Sequence, residues 1–144
     1  PWTPRLHDLR ERIQSLSGCR CNSVLLNLYR DHRDSMGLHA DDERCLGPRP
    51  VIASLSLGAT RTLRFRHRHD PAVPPLRLAL ASASVLVMAG NTQINWKHAL
   101  PRQARPCGPR LNLTFRWIEP DRINHVHTRT RMQQAPRDPG SVAD

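Results

Sequence analysis

Arg110-Leu111-Asn112-Leu113-Thr114-Phe115-Arg116-Trp117-Ile118 is the stretch whose reading decides the fold. Side chains of an extended chain alternate between two faces. Arg110, Asn112, Thr114 and Arg116 therefore share one face, and Leu111, Leu113, Phe115 and Trp117 share the other. The apolar set predicts packing on a core. The polar set admits two readings. It is either the wet face of a sheet or the lining of a barrel. In a barrel, two inward arginines need a partner, because a buried guanidinium is very costly unpaired. A dicarboxylate ligand would supply that partner through a bidentate contact.

Working outward, Asn22 to Arg30 reads as a second strand of the same kind, with Leu26 and Leu28 on one face and Asn27 and Tyr29 on the other. Val51 to Leu57 reads as a mostly apolar strand with Ser54 and Ser56 on one face. Thr60 to Arg66, Leu76 to Leu80 and Ser84 to Met88 are further strands, and Gln93 to Leu100 is one more segment, stopped by Pro101. Between them, Gly47-Pro48-Arg49-Pro50, the basic loop from Arg66 to Pro75, and Arg102 to Pro109 break the chain. Pro1 to Leu16 reads as an amphipathic helix with Leu6, Leu9, Ile13 and Leu16 at steps of three and four. Thr3-Pro4 supplies its cap and Ser17-Gly18 its end. The pattern is mainly β with one flanking helix.

Gly37-Leu38-His39-Ala40-Asp41-Asp42-Glu43 carries the candidate chemistry. In an extended segment His39 and Asp41 project from one face, and an imidazole beside a carboxylate is part of a metal site. A second histidine completes a two-His, one-carboxylate set that leaves positions open on Fe(II). His98, in Asn95-Trp96-Lys97-His98, is the candidate. Without a metal, the same tripeptide is an ordinary surface segment.

The chain has 144 residues, enough for one domain with a core, and a formal charge of +10. That balance suits a polyanionic partner, nucleic acid above all. Aromatic residues are only 4%, so platforms for stacking bases are few. No apolar run is long enough to span a bilayer, so no membrane partner is expected. Cys19, Cys21, Cys45 and Cys107 lack the two-to-four residue spacing of a zinc knuckle and read as reduced thiols. Reduced thiols and ferrous iron both predict a cytoplasmic protein, which we expect to be a monomer. Glu119 to Asp144 reads as a disordered basic tail, in which His125, His127, Arg122, Arg129 and Arg131 are solvated.

Taken together, the stretches Asn22 to Arg30, Leu38 to Glu43, Pro50 to Ala59, Trp96 to Pro101 and Pro109 to Arg116 resemble the AlkB family of Fe(II)- and 2-oxoglutarate-dependent nucleic-acid dealkylases, in order and in spacing. The resemblance is to the branch holding the animal DNA-repair dealkylases and similar bacterial proteins. It covers residues 1–118, expected to be the catalytic domain, with 119–144 as the tail. It implies a double-stranded β-helix, or jelly roll. It implies His39, Asp41 and His98 as iron ligands. It implies 2-oxoglutarate held by Asn27, Tyr29, Arg110, Asn112, Thr114 and Arg116. Asp42, Glu43 and, more loosely, Arg77 are implied on the substrate side.

The implied reaction is oxidative demethylation of bases such as 1-methyladenine or 3-methylcytosine in DNA or RNA. It consumes O2 and 2-oxoglutarate and releases formaldehyde, succinate and CO2. The alternatives are the same chemistry on a protein or small molecule, and a catalytically silent nucleic-acid-binding module. Two departures stand out. The chain starts at Pro1-Trp2, after the place where the family carries a nucleotide-recognition lid. It also has Ala83-Ser84 where relatives commonly have a glycine before the next strand.

Overall fold

A computed structural model describes residues 2–120 and the backbone of Met132–Gln134. Helix α1 (Pro4–Ser17) opens the chain. Thr3 is its N-cap, with Oγ1 accepting from the Leu6 amide at 3.3 Å, and Pro4 stands where a missing N–H costs nothing. Gly18 closes it at φ 66°, donating to the Gln14 carbonyl at 2.9 Å. The strands follow as β1 (Ser23–Tyr29), β2 (Met36–His39), β3 (Ile52–Gly58), β4 (Arg61–His67), β5 (Leu76–Leu80), β6 (Val85–Met88), β7 (Trp96–Leu100) and β8 (Arg110–Arg116). A short β9 (Met132–Gln134) pairs parallel to β1. Of the tail expected to be disordered, Glu119, whose amide donates to the Cys45 carbonyl at 2.8 Å, Pro120 and the paired strand β9 are ordered, and the rest lies outside the described residues.

The strands form two sheets, in the orders β6-β3-β8-β1-β9 and β2-β7-β4-β5. Apart from the β9 pairing, every neighbouring pair is antiparallel. Two facing antiparallel sheets with non-sequential strand order are the jelly-roll arrangement. No described helix is long and apolar enough to cross a membrane.

The larger sheet has two working faces. Its outer face packs against α1. Ile13, Cys19, Cys21, Val24, Ala53, Leu55, Leu113 and Phe115 are buried there, with Leu6 and Leu9 beside them. Between the sheets lies a second cluster of Cys45, Leu46, Ile52, Phe65, Met88 and Ile118. The described cysteines are unpaired. Gly58, at φ 90°, turns β3 into β4 where a Cβ would collide with the Pro109 carbonyl.

Four details differ from the sequence reading. The helix starts at Pro4 and leaves Leu16 77% exposed, because α1 ends before that turn reaches the sheet. Trp117 falls past the end of β8 and is 38% exposed, its ring under the Arg20 guanidinium at 4.9 Å rather than in the core. Gln93–Leu100 splits into one helical turn, α2 (Thr92–Asn95), and β7. Strand β2 ends at His39, so Asp41 lies in the following loop.

Asp34 fixes the turn between β1 and β2. Its carboxylate is fully buried and accepts from the Arg30 amide, Nε and Nη2 at 2.8, 2.7 and 2.8 Å. Those contacts hold its pKa below the usual range against the opposing effect of burial. A lowered folded-state pKa means stability present above the ordinary value and lost as pH falls below it. Arg30 still touches water, which moderates the effect. Asp34→Ala is expected to cost about 2 kcal/mol at neutral pH, and the gap from the parent to shrink below pH of about 4. Urea midpoints at the two pH values check this.

Ala83 is the one described non-glycine residue at positive φ, 63°. Its amide donates to the Ser56 carbonyl at 2.7 Å, which holds the tight turn before β6. The left-handed region strains a residue bearing a Cβ. Ala83→Gly is expected to stabilise the protein by roughly 1 kcal/mol, read as a raised urea midpoint with unchanged slope.

Candidate metal centre and the polar lumen beside it

The ladder between β2 and β7 sets His39 directly opposite His98. Their ring centroids are 4.3 Å apart. Asp41 follows two residues later, its Oδ2 3.7 Å from His98 Nε2. One ligand atom from each of the three lies within 4.8 Å of the others. His39 Nδ1 is 2.8 Å from the Gly37 carbonyl. A carbonyl only accepts, so Nδ1 donates to it, and Nε2 is the ring nitrogen left for a metal. Burial, and then His39, push the His98 pKa down to about 4, so its imidazole is neutral at ordinary pH. Burial raises the Asp41 pKa, while Arg116 and His39 oppose the rise. Two imidazoles and a buried carboxylate form a donor set that fits a divalent transition metal.

Several side chains hold this cluster. Arg116 Nη1 lies 3.8 Å from Asp41 Oδ1 and 3.5 Å from Glu43 Oε1. The Asp41 amide donates to Gln93 Oε1 at 2.9 Å. Arg68 Nη1 donates to Asp42 Oδ2 at 2.7 Å and to the Gln93 carbonyl at 2.9 Å. Gln93 and Arg68 were absent from the sequence reading. A glutamine after a turn and an arginine in a basic loop carry no local signal for such contacts.

The lumen beside the cluster is built by β1, β8 and β3. Their registers set Tyr29 opposite Arg110, Asn27 opposite Asn112, Ser56 opposite Asn112, and Ser54 opposite Thr114. Cross-strand neighbours share a face, so the polar residues converge. Asn112 Oδ1 accepts from Ser54 Oγ at 2.8 Å and Arg110 Nη2 at 2.9 Å. Asn112 Nδ2 donates to Thr114 Oγ1 at 2.8 Å, and Arg110 Nη2 also donates to Ser56 Oγ at 2.8 Å.

Arg110 is 2% exposed, its guanidinium 5.3 Å from the Tyr29 ring centre. No ion pair between described residues includes it. Arg110 Nε and Asn27 Oδ1 are buried without hydrogen-bond partners. Burial lowers the Arg110 pKa, with Tyr29 opposing. A buried cation with only neutral partners fits a carboxylate ligand. Arg61, also against Tyr29, donates through its two terminal nitrogens to the carbonyls of Asp31, Asp34 and Pro101, although its Nε, like that of Arg110, is buried without a partner.

The structure thus brings His39, Asp41 and His98 together, with Arg116 and Glu43 at their side. It gathers Asn27, Tyr29, Arg110, Asn112 and Thr114 in the lumen. Asp42 stands next to the cluster but is engaged by Arg68. Arg77 is not brought there. It is exposed and opposes Arg64, whereas the next residue along β4, Phe65, opposes His98. Strand alternation therefore puts Arg77 on the outer face of the smaller sheet, away from the metal cluster.

Two facing sheets around a His-Asp-His cluster and a cationic lumen define an iron- and 2-oxoglutarate-using class. Residues 1–116 match the 2OG-Fe(II) oxygenase superfamily, and the chain belongs to it. More particularly, the chain is similar to human alpha-ketoglutarate-dependent dioxygenase alkB homolog 3. The two are 42% identical over 127 residues, which cover 83% of this chain and 44% of the relative. It is 44% identical to mouse DNA oxidative demethylase ALKBH2 over 126 residues, covering 83% of this chain and 53% of the relative. The chain spans about half the length of these curated relatives. The solved structure titled "The structure of OsALKBH1" has the same fold, with TM-score 0.59 at 22% identity over 81% of this chain and 65% of that one. The family's Fe(II) and 2-oxoglutarate suit the donor set and the uncompensated Arg110.

Arg110→Ala is expected to weaken 2-oxoglutarate binding by about 100-fold or more, since it would leave the far carboxylate without its charged donor. Arg77→Ala is expected to leave that affinity unchanged. Calorimetry on Mn(II)-loaded protein compares the two.

Proposed function

We propose that this protein is an oxidative demethylase of N-alkylated nucleobases, such as 1-methyladenine and 3-methylcytosine, in DNA or RNA. One observation carries the reading: a His-Asp-His cluster adjoins a lumen whose buried arginine has no counter-ion among the described residues. The similarity to relatives named as alkB homologues and DNA oxidative demethylases directs it to nucleic acid.

In this reading His39, Asp41 and His98 hold the iron. Arg110, with Tyr29 behind it, takes the far carboxylate of 2-oxoglutarate, and Asn27, Asn112 and Thr114 line its path. Arg116 stands at the metal end, where its charge opposes the rise that burial imposes on the Asp41 pKa. Bound iron and 2-oxoglutarate supply, with O2, the oxidation that places a hydroxyl on the N-methyl carbon. The hydroxymethyl group would leave as formaldehyde, its C–N bonding pair returning to the ring nitrogen as a lone pair and its hydroxyl proton going to solvent, and 2-oxoglutarate would end as succinate and CO2. Glu43 and Asp42, at the mouth, face the incoming base. A base within a duplex must flip out to reach the cluster. Arg77 lies with Arg64, Arg66 and Lys97 on the outer sheet face. There it adds to a positive field that draws in a polyanion, consistent with the chain's +10 charge.

Oligonucleotides carrying one 1-methyladenine or 3-methylcytosine are expected to yield formaldehyde and succinate in equal amounts, with Asp41→Ala giving neither. Succinate without formaldehyde from any methylated oligonucleotide would point to a protein or small-molecule substrate.

A further inference from the structure

We propose that Gln93 is a positioning residue for the metal site, acting as a strut that fixes the backbone of Asp41. The inference rests on His39, Asp41 and His98 as the metal ligands. The β2–β7 ladder pairs His39 with His98 and β2 stops there. Asp41, two residues on, has no strand partner for its amide. A carboxylate on an unanchored loop would swing, whereas both histidines are held by a ladder. Gln93 replaces the missing ladder bond. Its Oε1 accepts from the Asp41 amide at 2.9 Å, in a contact that is buried.

The amide orientation is dictated by chemistry, because only the oxygen can accept from an N–H. Nε2 is left against Met88 Sδ at 3.6 Å, a weak acceptor. Gln93 is 2% exposed and lies in α2, which runs directly into β7. One short segment therefore supplies a ligand, His98, and the support for another, Asp41. Arg68 locks the arrangement from outside by gripping the Gln93 carbonyl and the Asp42 carboxylate with one nitrogen. Gln93 touches neither metal nor substrate. Its effect passes through the direction of the Asp41 carboxylate.

The test uses Co(II) as the probe metal, titrated into metal-free protein and followed by its visible absorption. Gln93→Met keeps the length and removes the acceptor. Gln93→Glu keeps an acceptor. Gln93→Met is expected to bind Co(II) about tenfold or more weakly, the usual range for a lost supporting contact, with Gln93→Glu closer to the parent. A purely structural role would lower the melting temperature of Gln93→Met and leave Co(II) affinity alone, and that result overturns the proposal. Equal losses in both variants also overturn it, since the acceptor would then not matter.

If Gln93→Met does not fold, amide hydrogen exchange on the parent decides. The Asp41 amide should exchange slowly, like the ladder amides of β7. Exchange as fast as that of neighbouring loop amides refutes the strut. Failure of the parent itself to take up Co(II) would instead remove the ligand assignment on which the inference stands.

Discussion

A guanidinium sealed inside the sandwich, with hydroxyls, an amide and a phenol ring as its company, is the constraint from which the rest of the molecule follows. Arg110 is almost fully buried, and its recorded contacts are to Ser56, Asn112 and Tyr29, none of them anionic. Leaving a cation there costs several kcal/mol unless an anion arrives. Hydrophobic burial elsewhere must offset that cost. The outer face of the same sheet does so, through Phe115, Leu113, Ala53 and Leu55 against α1. Each of β1, β3 and β8 thus spends alternate residues on cohesion and the others on the lumen.

The alternation explains why so much of this site was legible. In β8 the two residue sets are written in strict period two, and β1 repeats the pattern with Asn27 and Tyr29. Spacing puts His39 beside Asp41, the two-His, one-carboxylate donor set asks for a second histidine such as His98, and the resemblance to dealkylases implies the same three. The unread parts share a physical cause, because they depend on contacts between residues distant in sequence. Gln93 reaches Asp41 across 52 positions, and Arg68 reaches Asp42 across 26. Arg61 looked like one more basic strand residue but is buried under three carbonyls. Leu16, in the last turn of α1, and Trp117, just past the end of β8, fit the apolar pattern yet stay exposed. Strand parity, once the register is known, turns Arg77 outward.

The two arginines of β8, read as equivalent in sequence, are separated by the fold. Arg110 sits against Tyr29 at one end of the strand, and Arg116 at the other beside Asp41 and Glu43. The first has no carboxylate within reach among the described residues, and the second has two. One is arranged to receive an anion and the other to steady a ligand and the rim next to it. Residue type and face cannot make that distinction; register and neighbouring loops do.

The charge of Arg110, unmatched among the described residues, and the metal-binding cluster lie inside the body that α1 and the two sheets enclose. A ligand for either binds the folded chain and not the unfolded one. Occupancy and folding are therefore linked, and a ligand present at a hundred times its dissociation constant adds about 2.7 kcal/mol to the folded state.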